Sequence, residues 1–139
     1  MKILIDTNII IDVLTERKPH FEHSSQFLNL CGAQIIGMIL ASQTTDIFYI
    51  LRREGKTEKE ARAVIKKLID NLKVLDVFAA DVNPALDSDM PDYEDSLLAY
   101  SAYRYKADYI ITRNEKDFKD SPVSALSPAE FIKKISTAK

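Results

Sequence analysis

Acidic side chains stand at the ends of apolar segments in several parts of this sequence. Asp6 directly follows the apolar run 2–5, and Asp117 comes one helical turn after the run 107–112. Short apolar runs without alternation are typical of strands buried on both faces of a parallel sheet, and the carboxyl ends of such strands form the edge where ligands bind. The spacing therefore predicts carboxylates collected along one edge of a sheet.

Asp46 is informative because it lies inside a helical pattern whose neighbours are mostly apolar, in Asp-Ile-Phe-Tyr-Ile-Leu. Aspartate is a poor residue for a helix interior, and an acid among apolar side chains needs a partner. Asp95 is similar, since it shares a helix face with Leu98, Ala99 and Ala102. The structural alternative for Asp46 is the exposed edge of an amphipathic helix.

Helix capping is the alternative explanation for the other polar positions. Asp6 could cap the helix that follows it, Asp92 is well placed as the N-cap of a helix beginning at Tyr93, and Asn114 could cap a short helical turn. Capping explains one residue at each place comfortably. It does not explain why a second acid, Asp95 or Asp117, follows three residues later.

Carboxylates that converge must take up protons or bind a cation, because two of them about 4 Å apart repel by roughly 4 kcal/mol at an effective dielectric constant of 20. The chain has one cysteine, Cys31, and two histidines, His20 and His23, so a Cys/His zinc cluster is excluded. Oxygen ligation by aspartate favours Mg²⁺ or Mn²⁺. Such ions serve phosphoryl chemistry by activating water and shielding charge.

Strand and helix patterns alternate along the whole chain. Strand patterns are predicted at the start of the chain up to Ile5 and at Ala33–Met38, Leu72–Phe78, Ala107–Thr112 and Val123–Leu126. Helical patterns are predicted at Thr7–Glu16, Phe21–Leu30, Ser42–Arg53, Thr57–Asn71 and Tyr93–Tyr105, and from Ser127 onward, with a loop at Asp81–Asp92. This alternation predicts an α/β fold, a three-layer α/β/α sandwich around a mainly parallel sheet of about five strands.

Length and composition predict a single domain over residues 1–139, with the terminal Ala138 and Lys139 frayed. The hydrophobic content of 46% and charged content of 29% are those of a globular domain with its own core. We expect a cytoplasmic protein without a membrane segment, because no signal peptide or long apolar run is present. The net charge of −2 means that any polyanion must bind through a local patch or through metal ions.

The motifs together resemble the PIN-domain family, the metal-dependent ribonuclease fold that includes the VapC toxins. The resemblance rests on five segments in order: Ile-Asp-Thr-Asn (5–8), the Ser42 to Asp46 helix, Asp92-Tyr-Glu-Asp95, Ile-Thr-Arg-Asn-Glu-Lys-Asp-Phe (111–118) and Leu-Ser-Pro-Ala-Glu-Phe (126–131). It implies the following roles: metal-site acids at Asp6, Asp46, Asp95 and Asp117, an accessory acid at Asp92, and polar groups near the metal or the scissile phosphate at Thr7, Asn8 and Thr112.

Two positions depart from the family pattern. Many members have Glu where this chain has the shorter Asp46, and many have Asp where it has Asn114. The first change lengthens the path to a metal ion, and the second makes Asn114 an accessory position and leaves the fourth acid to Asp117.

By this resemblance the protein is expected to be a Mg²⁺- or Mn²⁺-dependent endoribonuclease, the toxin of a type II toxin–antitoxin pair with an antitoxin protein as partner. It also implies a homodimer, for which Phe48, Tyr49 and Leu51 are the apolar candidates. The alternative is a non-catalytic PIN-like domain that binds nucleic acid or protein. Transfer through an aspartyl phosphate is disfavoured, because Asn8 stands where that chemistry needs a second acid.

Basic side chains in the region 52–66 are candidates for RNA contact. They are Arg52, Arg53, Lys56, Lys59, Arg62 and Lys66. Lys59, Arg62 and Lys66 share one helix face, although a solvated helix surface explains them as well.

Overall fold

The computed structural model describes residues 1–137 and contains one sheet of five parallel strands. The strands are β1 (Lys2–Ile5), β2 (Ile36–Leu40), β3 (Lys73–Leu75), β4 (Tyr109–Ile111) and β5 (Ala125–Leu126), in the spatial order β3-β2-β1-β4-β5. The predicted α/β sandwich around a parallel sheet is confirmed. Ala138 and Lys139, expected to fray, lie outside the described residues.

Seven α-helices connect and cover the strands in the described part of the chain. They are α1 (Thr7–Leu14), α2 (Phe21–Leu30), α3 (Ala41–Arg53), α4 (Glu58–Leu68), α5 (Val82–Leu86), α6 (Tyr93–Arg104) and α7 (Pro128–Thr137). Short 3-10 turns occupy Ile69–Asn71, Ala79–Asp81 and Glu115–Phe118. Within residues 1–137 there is no helix with the length and apolar character required to cross a bilayer.

The central strand β1 faces both halves of the core. Ile3 and Ile5 point into a cluster formed with α1, α2, α3, α4 and α7, whereas Leu4 points into a second cluster with α6 and the turn at Glu115–Phe118. Successive side chains of a strand alternate between faces, which is why Ile3, Leu4 and Ile5 are all apolar. Burying each such side chain contributes about 1.5–3 kcal/mol.

The order of the strands brings distant parts of the sequence to one edge. From β1 the chain passes to β2 on one side and later returns to place β4 on the other side, with Leu4 beside Ile110 and Ile5 beside Ile111. In such sheets the change of direction leaves a crevice at the carboxyl ends of the strands. Residues that follow β1, β2 and β4 therefore meet there.

Several element boundaries differ from the sequence prediction. The second strand begins at Ile36 rather than residue 33, because Ile36 pairs in register with Lys2. The first helix ends at Leu14, before Glu16 adopts a positive φ of 49°. The third strand is only three residues long, and the predicted loop 81–92 contains the helix α5.

The loop prediction was wrong because tertiary contacts stabilise α5. The carboxylate of Asp81, which immediately precedes this helix, binds Arg104 Nε at 2.7 Å and lies near the hydroxyl of Ser101. Ala85 packs into the interior on the other side of the short helix. Neither contact is visible in local sequence, where asparagine and proline suggest a turn.

Side-chain caps support the predicted helix starts near Thr57 and Ser127, whereas the predicted start at Ser42 is wrong. Thr57 and Glu60 form a capping box, with the Glu60 N–H donating to Thr57 Oγ1 at 3.1 Å and the Thr57 N–H to Glu60 Oε1 at 2.9 Å. The same arrangement opens α7 at residues 127–130. Ser42 does not cap α3, because the helix already begins at Ala41.

One of the residues predicted to form an apolar contact in a homodimer, Leu51, is not on the surface. Leu51 is 0% exposed and belongs to the core cluster between α3 and α4, so it cannot contribute to a contact with another chain. Tyr49 on the same helix is 65% exposed, and Phe48 is half-buried. The free apolar face of α3 is therefore narrower than its sequence suggests.

Candidate functional site

A small pocket lined by carboxylates lies at the carboxyl end of β1. Its cavity volume is about 40 Å³, room for an ion or one or two water molecules. The structure brings three of the predicted acids together here, Asp6, Asp46 and Asp95, and adds Glu94 from the same first turn of α6. Asp46 is exposed on α3, yet it faces this pocket.

Asp6 connects the end of β1 with the end of β4. Its N–H donates to the Ile111 carbonyl at 2.9 Å, and its Oδ2 accepts a hydrogen bond from Thr112 Oγ1 at 2.8 Å. The carboxylate makes no well-formed capping hydrogen bond to α1, although the N–H groups of Thr7 and Asn8 in the first turn still lower its pKa. Burial raises the pKa of Asp6 above its ordinary value, against the opposing effect of the Thr112 hydrogen bond.

Thr112 and Asn8 hold this edge in place. Thr112 is 0% exposed, and its hydroxyl also accepts hydrogen bonds from the Asn8 Nδ2 amide at 3.4 Å and from the Asn114 N–H at 3.1 Å. Asn8 Oδ1 in turn accepts from the Arg113 N–H at 3.4 Å. A threonine hydroxyl has one proton and two lone pairs, so all of its hydrogen-bonding capacity is used in orienting Asp6.

The first turn of α6 supplies three acids with different surroundings. Asp92 caps the helix as predicted, because its Oδ1 accepts from the Asp95 N–H at 2.9 Å. Burial, followed by the negative charges of Asp6 and Asp92, raises the pKa of Asp95 to about 7. Burial and the nearby Asp46 carboxylate raise the pKa of Glu94 as well. These groups carry more negative charge than their surroundings offset.

Asp117 stands just outside the pocket lining. Its negative charge still contributes to raising the pKa of Asp95, so the two carboxylates belong to one electrostatic cluster. Asn114 precedes the turn at Glu115–Phe118, but its side chain makes no capping hydrogen bond, contrary to the sequence prediction. Its contribution to the edge is its backbone N–H, which donates to Thr112 Oγ1.

Sequence reasoning missed Gln43, which ties three elements together beneath the pocket. Its Oε1 accepts from the Leu40 N–H at 2.6 Å, and its Nε2 donates to the Ile5 carbonyl at 2.7 Å and to Thr7 Oγ1 at 3.1 Å. Gln43 is buried, and it precedes Asp46 by almost one helical turn. It therefore fixes the start of α3 against the end of β1.

Two signals in the sequence relate to the missed residues. A glutamine three residues after a strand end is the residue type that reaches back to an N-cap N–H, which is what Gln43 does at Leu40. Glu94 was visible only as one more negative charge in a helix first turn, where acids are common. Its position facing Asp46 follows from how α6 packs beside β1.

The predicted basic residues do not all line one groove. Arg53 lines a groove that also contains Thr7 and Asn8, next to the acidic pocket. Arg62 and Lys66 line a different groove between α3 and α4, and Arg62 pairs with Glu58 at 3.0 Å. The remaining three bring no side chain to either of these grooves; they are Arg52, Lys56 and Lys59.

The donor atoms of the pocket suit a hard divalent cation. All are oxygens, from the carboxylates of Asp6, Asp46, Glu94 and Asp95 and from neighbouring hydroxyl groups. Within residues 1–137 no three His, Cys, Asp or Glu side chains converge closely enough to form a complete cage for an ion. Mg²⁺ is commonly held by one or two carboxylates and completes its shell with water, so this arrangement fits it.

Comparison with known proteins identifies the family to which this architecture belongs. The family model of the PIN domain matches residues 2–116, which include β1 to β4 and every acid of the pocket. The chain belongs to the PIN domain family. The resemblance noted from the motifs is thereby confirmed.

Relatives of this PIN domain include a named ribonuclease. Ribonuclease VapC1 of Aquifex aeolicus is 26% identical over 142 residues, covering 98% of this chain and 96% of that protein. Among solved structures, VapBC2 from Rickettsia felis, bound to a DNA fragment from their promoter, has a TM-score of 0.72 at 18% identity and covers 91% of this chain and 98% of its own. A toxin–antitoxin complex from Klebsiella pneumoniae has a TM-score of 0.68 at 19% identity, over 90% and 96%.

Proposed function

We propose that this PIN domain is an endoribonuclease that hydrolyses RNA phosphodiesters with a bound Mg²⁺ or Mn²⁺. The observation that carries the proposal is the pocket at the end of β1, which four carboxylates line without a cationic side chain among them. The similarity over almost the full length of Ribonuclease VapC1 supports RNA as the substrate. When bound, the ion would supply an activated water and would shield the charge of the phosphate.

The residues of the pocket have distinct roles in this proposal. Asp6, Asp46 and Asp95 would bind the ion, in part through water molecules of its shell, with Glu94 and Asp117 as further acids of the cluster. With a pKa of about 7, the Asp95 carboxyl is protonated in roughly half of the molecules near pH 7, and a cation in the pocket would favour the ionised form. Thr112 keeps the Asp6 carboxylate oriented, and Gln43 keeps α3 at a constant distance from it.

Metal-dependent cleavage of a labelled RNA tests the proposal. Wild-type protein in Mn²⁺ should cut the RNA and should stop in EDTA, and Asp6→Asn should lose about 100-fold or more in rate, since an ion contributes several kcal/mol at the transition state. Asp70→Asn is the matched control, because Asp70 is an exposed acid at the end of α4. Folded wild-type protein that does not cleave would contradict the proposal and favour the binding-module alternative.

An antitoxin protein is the partner proposed for this activity. The support is the full-length similarity to a VapC ribonuclease and the toxin–antitoxin complexes among the structural neighbours. Expression of the chain alone should slow bacterial growth, and co-expression of the product of the adjacent gene should restore it. Growth arrest that persists with Asp6→Asn would show that the toxicity does not come from the pocket.

A homodimer through α3 and α4 is the proposed assembly. Tyr49 is 65% exposed, and a groove of about 480 Å³ beside it is lined in part by the apolar side chains of Phe48, Ile65 and Ile69. Exposed apolar surface of this kind is typical of an interface between copies. Light scattering should give twice the chain mass of 15.8 kDa, and Tyr49→Glu should give the single mass.

A further inference from the structure

A groove begins next to the acidic pocket and runs between α1 and α3. Its cavity volume is about 570 Å³, and Thr7, which also lines the acidic pocket, forms one end of it together with Asn8. Ile11 and Ile50 form apolar walls, one from each helix. Because Thr7 lines both, the groove adjoins the pocket at this residue.

The far end of the groove is cationic. Arg17, just beyond the end of α1, and Arg53, in the last turn of α3, both line it and are exposed. Neither arginine forms an ion pair with any residue of 1–137. Arg53 is seven residues after Asp46 on α3, about 10 Å along the helix axis. One carboxylate, Glu54, also lines the groove.

This distribution of charge suits a strand of nucleic acid better than a small ligand. Unpaired guanidinium groups bind phosphate oxygens through paired N–H donors, and bases lie on apolar or aromatic surfaces in sites for single strands. A strand whose cleaved phosphate lies in the acidic pocket would carry its neighbouring phosphates along the groove. The basic residues of α4 offer no such continuity, because Arg62 is paired and its groove contains no residue of the acidic pocket.

We infer that the groove between α1 and α3 is the site for the RNA nucleotides that flank the cleaved bond, with Arg17 and Arg53 binding their phosphates and the half-buried Ile50 side chain contacting a base. This inference rests on the proposed ribonuclease function and names the part of the substrate that the acidic pocket does not hold. The hydroxyl and amide of Thr7 and Asn8 lie where the two parts join.

Binding of a fluorescein-labelled single-stranded RNA of mixed sequence, followed by anisotropy in EDTA, tests the groove without cleavage. Arg17→Ala with Arg53→Ala should weaken binding about tenfold, and the slope of log affinity against log salt should fall by about 1.4, since each phosphate contact on a single strand contributes about 0.7. The matched controls are Lys18→Ala and Lys133→Ala, exposed basic residues outside the groove. They remove the same charge and should leave the slope near that of wild type.

Cleavage kinetics in Mn²⁺ provide the second measurement. The two groove substitutions should raise KM and leave kcat close to wild type, because the arginines do not contact the reacting phosphate. Loss of RNA affinity that is equal in the control variants would overturn the inference. Unchanged RNA binding, combined with loss of a co-expressed protein partner, would also overturn it and assign the groove to that protein.

The outcomes separate this inference from the proposed function. Protein that binds RNA through the two arginines but does not cleave it supports the groove and contradicts the nuclease. If wild type and all variants cleave RNA with the same KM, the result supports the ribonuclease function and overturns RNA binding in the groove. Wild-type protein that neither binds nor cleaves RNA overturns both.

Discussion

Two groups of acidic side chains in this protein have opposite surroundings. Asp12, which is 0% exposed, lies 2.7 Å from Arg113 Nε, and Asp81 lies 2.7 Å from Arg104 Nε. The acids of the pocket form no ion pair with any residue of 1–137; they are Asp6, Asp46, Glu94 and Asp95. Acids that hold helices together are thus matched by a cation, whereas those at the end of β1 are left to a proton or an ion from solution.

The difference follows from what each group must do. A buried carboxylate without a partner costs several kcal/mol, so a paired arginine is required wherever the charge is permanent. In the pocket no arginine pairs with a carboxylate, although Arg113 is near enough to lower the pKa of Asp6 against the larger effect of burial. Burial and the neighbouring carboxylates raise the pKa of Asp95 to about 7. A site for a divalent cation needs excess negative charge, which ion pairs with arginine would neutralise.

Removing the cation from a matched pair should have the largest effect on stability. Arg113→Ala leaves Asp12 buried without a cationic partner and should lower the free energy of unfolding by about 3–5 kcal/mol, measured by urea denaturation. Arg104→Ala should cost less, because Arg104 is more exposed than Arg113 and water can reach its site.

The double variant Asp12→Leu with Arg113→Met should recover most of the stability lost in Arg113→Ala, since no charge is then buried. Equal losses in the single Arg113→Ala and the double variant would show that packing of the arginine stem, rather than charge, stabilises this region.

Divalent cations should have the next largest effect, and they should act on the unmatched group. Mn²⁺ at 100 times its dissociation constant should stabilise the wild type by about 2.7 kcal/mol, because it binds only the folded state. Asp6→Asn should lose most of this response and should be at least as stable as wild type without metal. A thermal shift of the same size in both proteins would place the ion elsewhere.

The unmatched acids should also make stability depend on pH in the absence of metal. The pKa of Asp95 is about 7 in the folded protein against 3.8 for the free side chain, so its contribution is fully present below pH 4 and is lost as the pH rises through 7. The raised pKa values of Asp6 and Glu94 act in the same direction. Unfolding in EDTA between pH 4.5 and 8 should show this decline.

The variant Asp95→Asn isolates that dependence. The stability of wild type relative to Asp95→Asn should fall across the interval, because the amide does not titrate. A relative stability that rises with pH would mean that Asp95 has a cationic partner and belongs with the matched acids.

The smallest effect concerns the outer edge of the cluster. Asp117→Asn should reduce Mn²⁺-dependent cleavage by about tenfold, less than Asp6→Asn, because Asp117 acts through its charge on Asp95 from outside the pocket lining. Asn114→Ala should leave activity and stability near wild type, since the Asn114 side chain caps nothing. Full activity in Asp117→Asn, with loss in Asn114→Ala, would reverse the assignment of the fourth position.

Local features of the chain were predictable because they depend on neighbours in sequence. The bounds of α2, the capping box at Thr57 and Glu60, and the cap of α6 by Asp92 all follow from residue type within three or four positions. The alternation of apolar runs with helical patterns was enough to predict a parallel sheet between helices. Asp6 was recognisable because strand ends are where such folds bind ligands.

The contacts that each polar group makes across the sheet edge could not be predicted from the sequence, because they depend on the tertiary structure. The Thr112 hydroxyl reaches Asp6 over 106 residues of chain only because β4 packs beside β1. The same long-range packing turns Gln43 into a link between β1, β2 and α3, buries Leu51, and gives Asp12 its arginine. The local sequence around an acidic residue does not show whether its carboxylate has an ion-pair partner. Only the packing of distant segments decides which carboxylates remain without one.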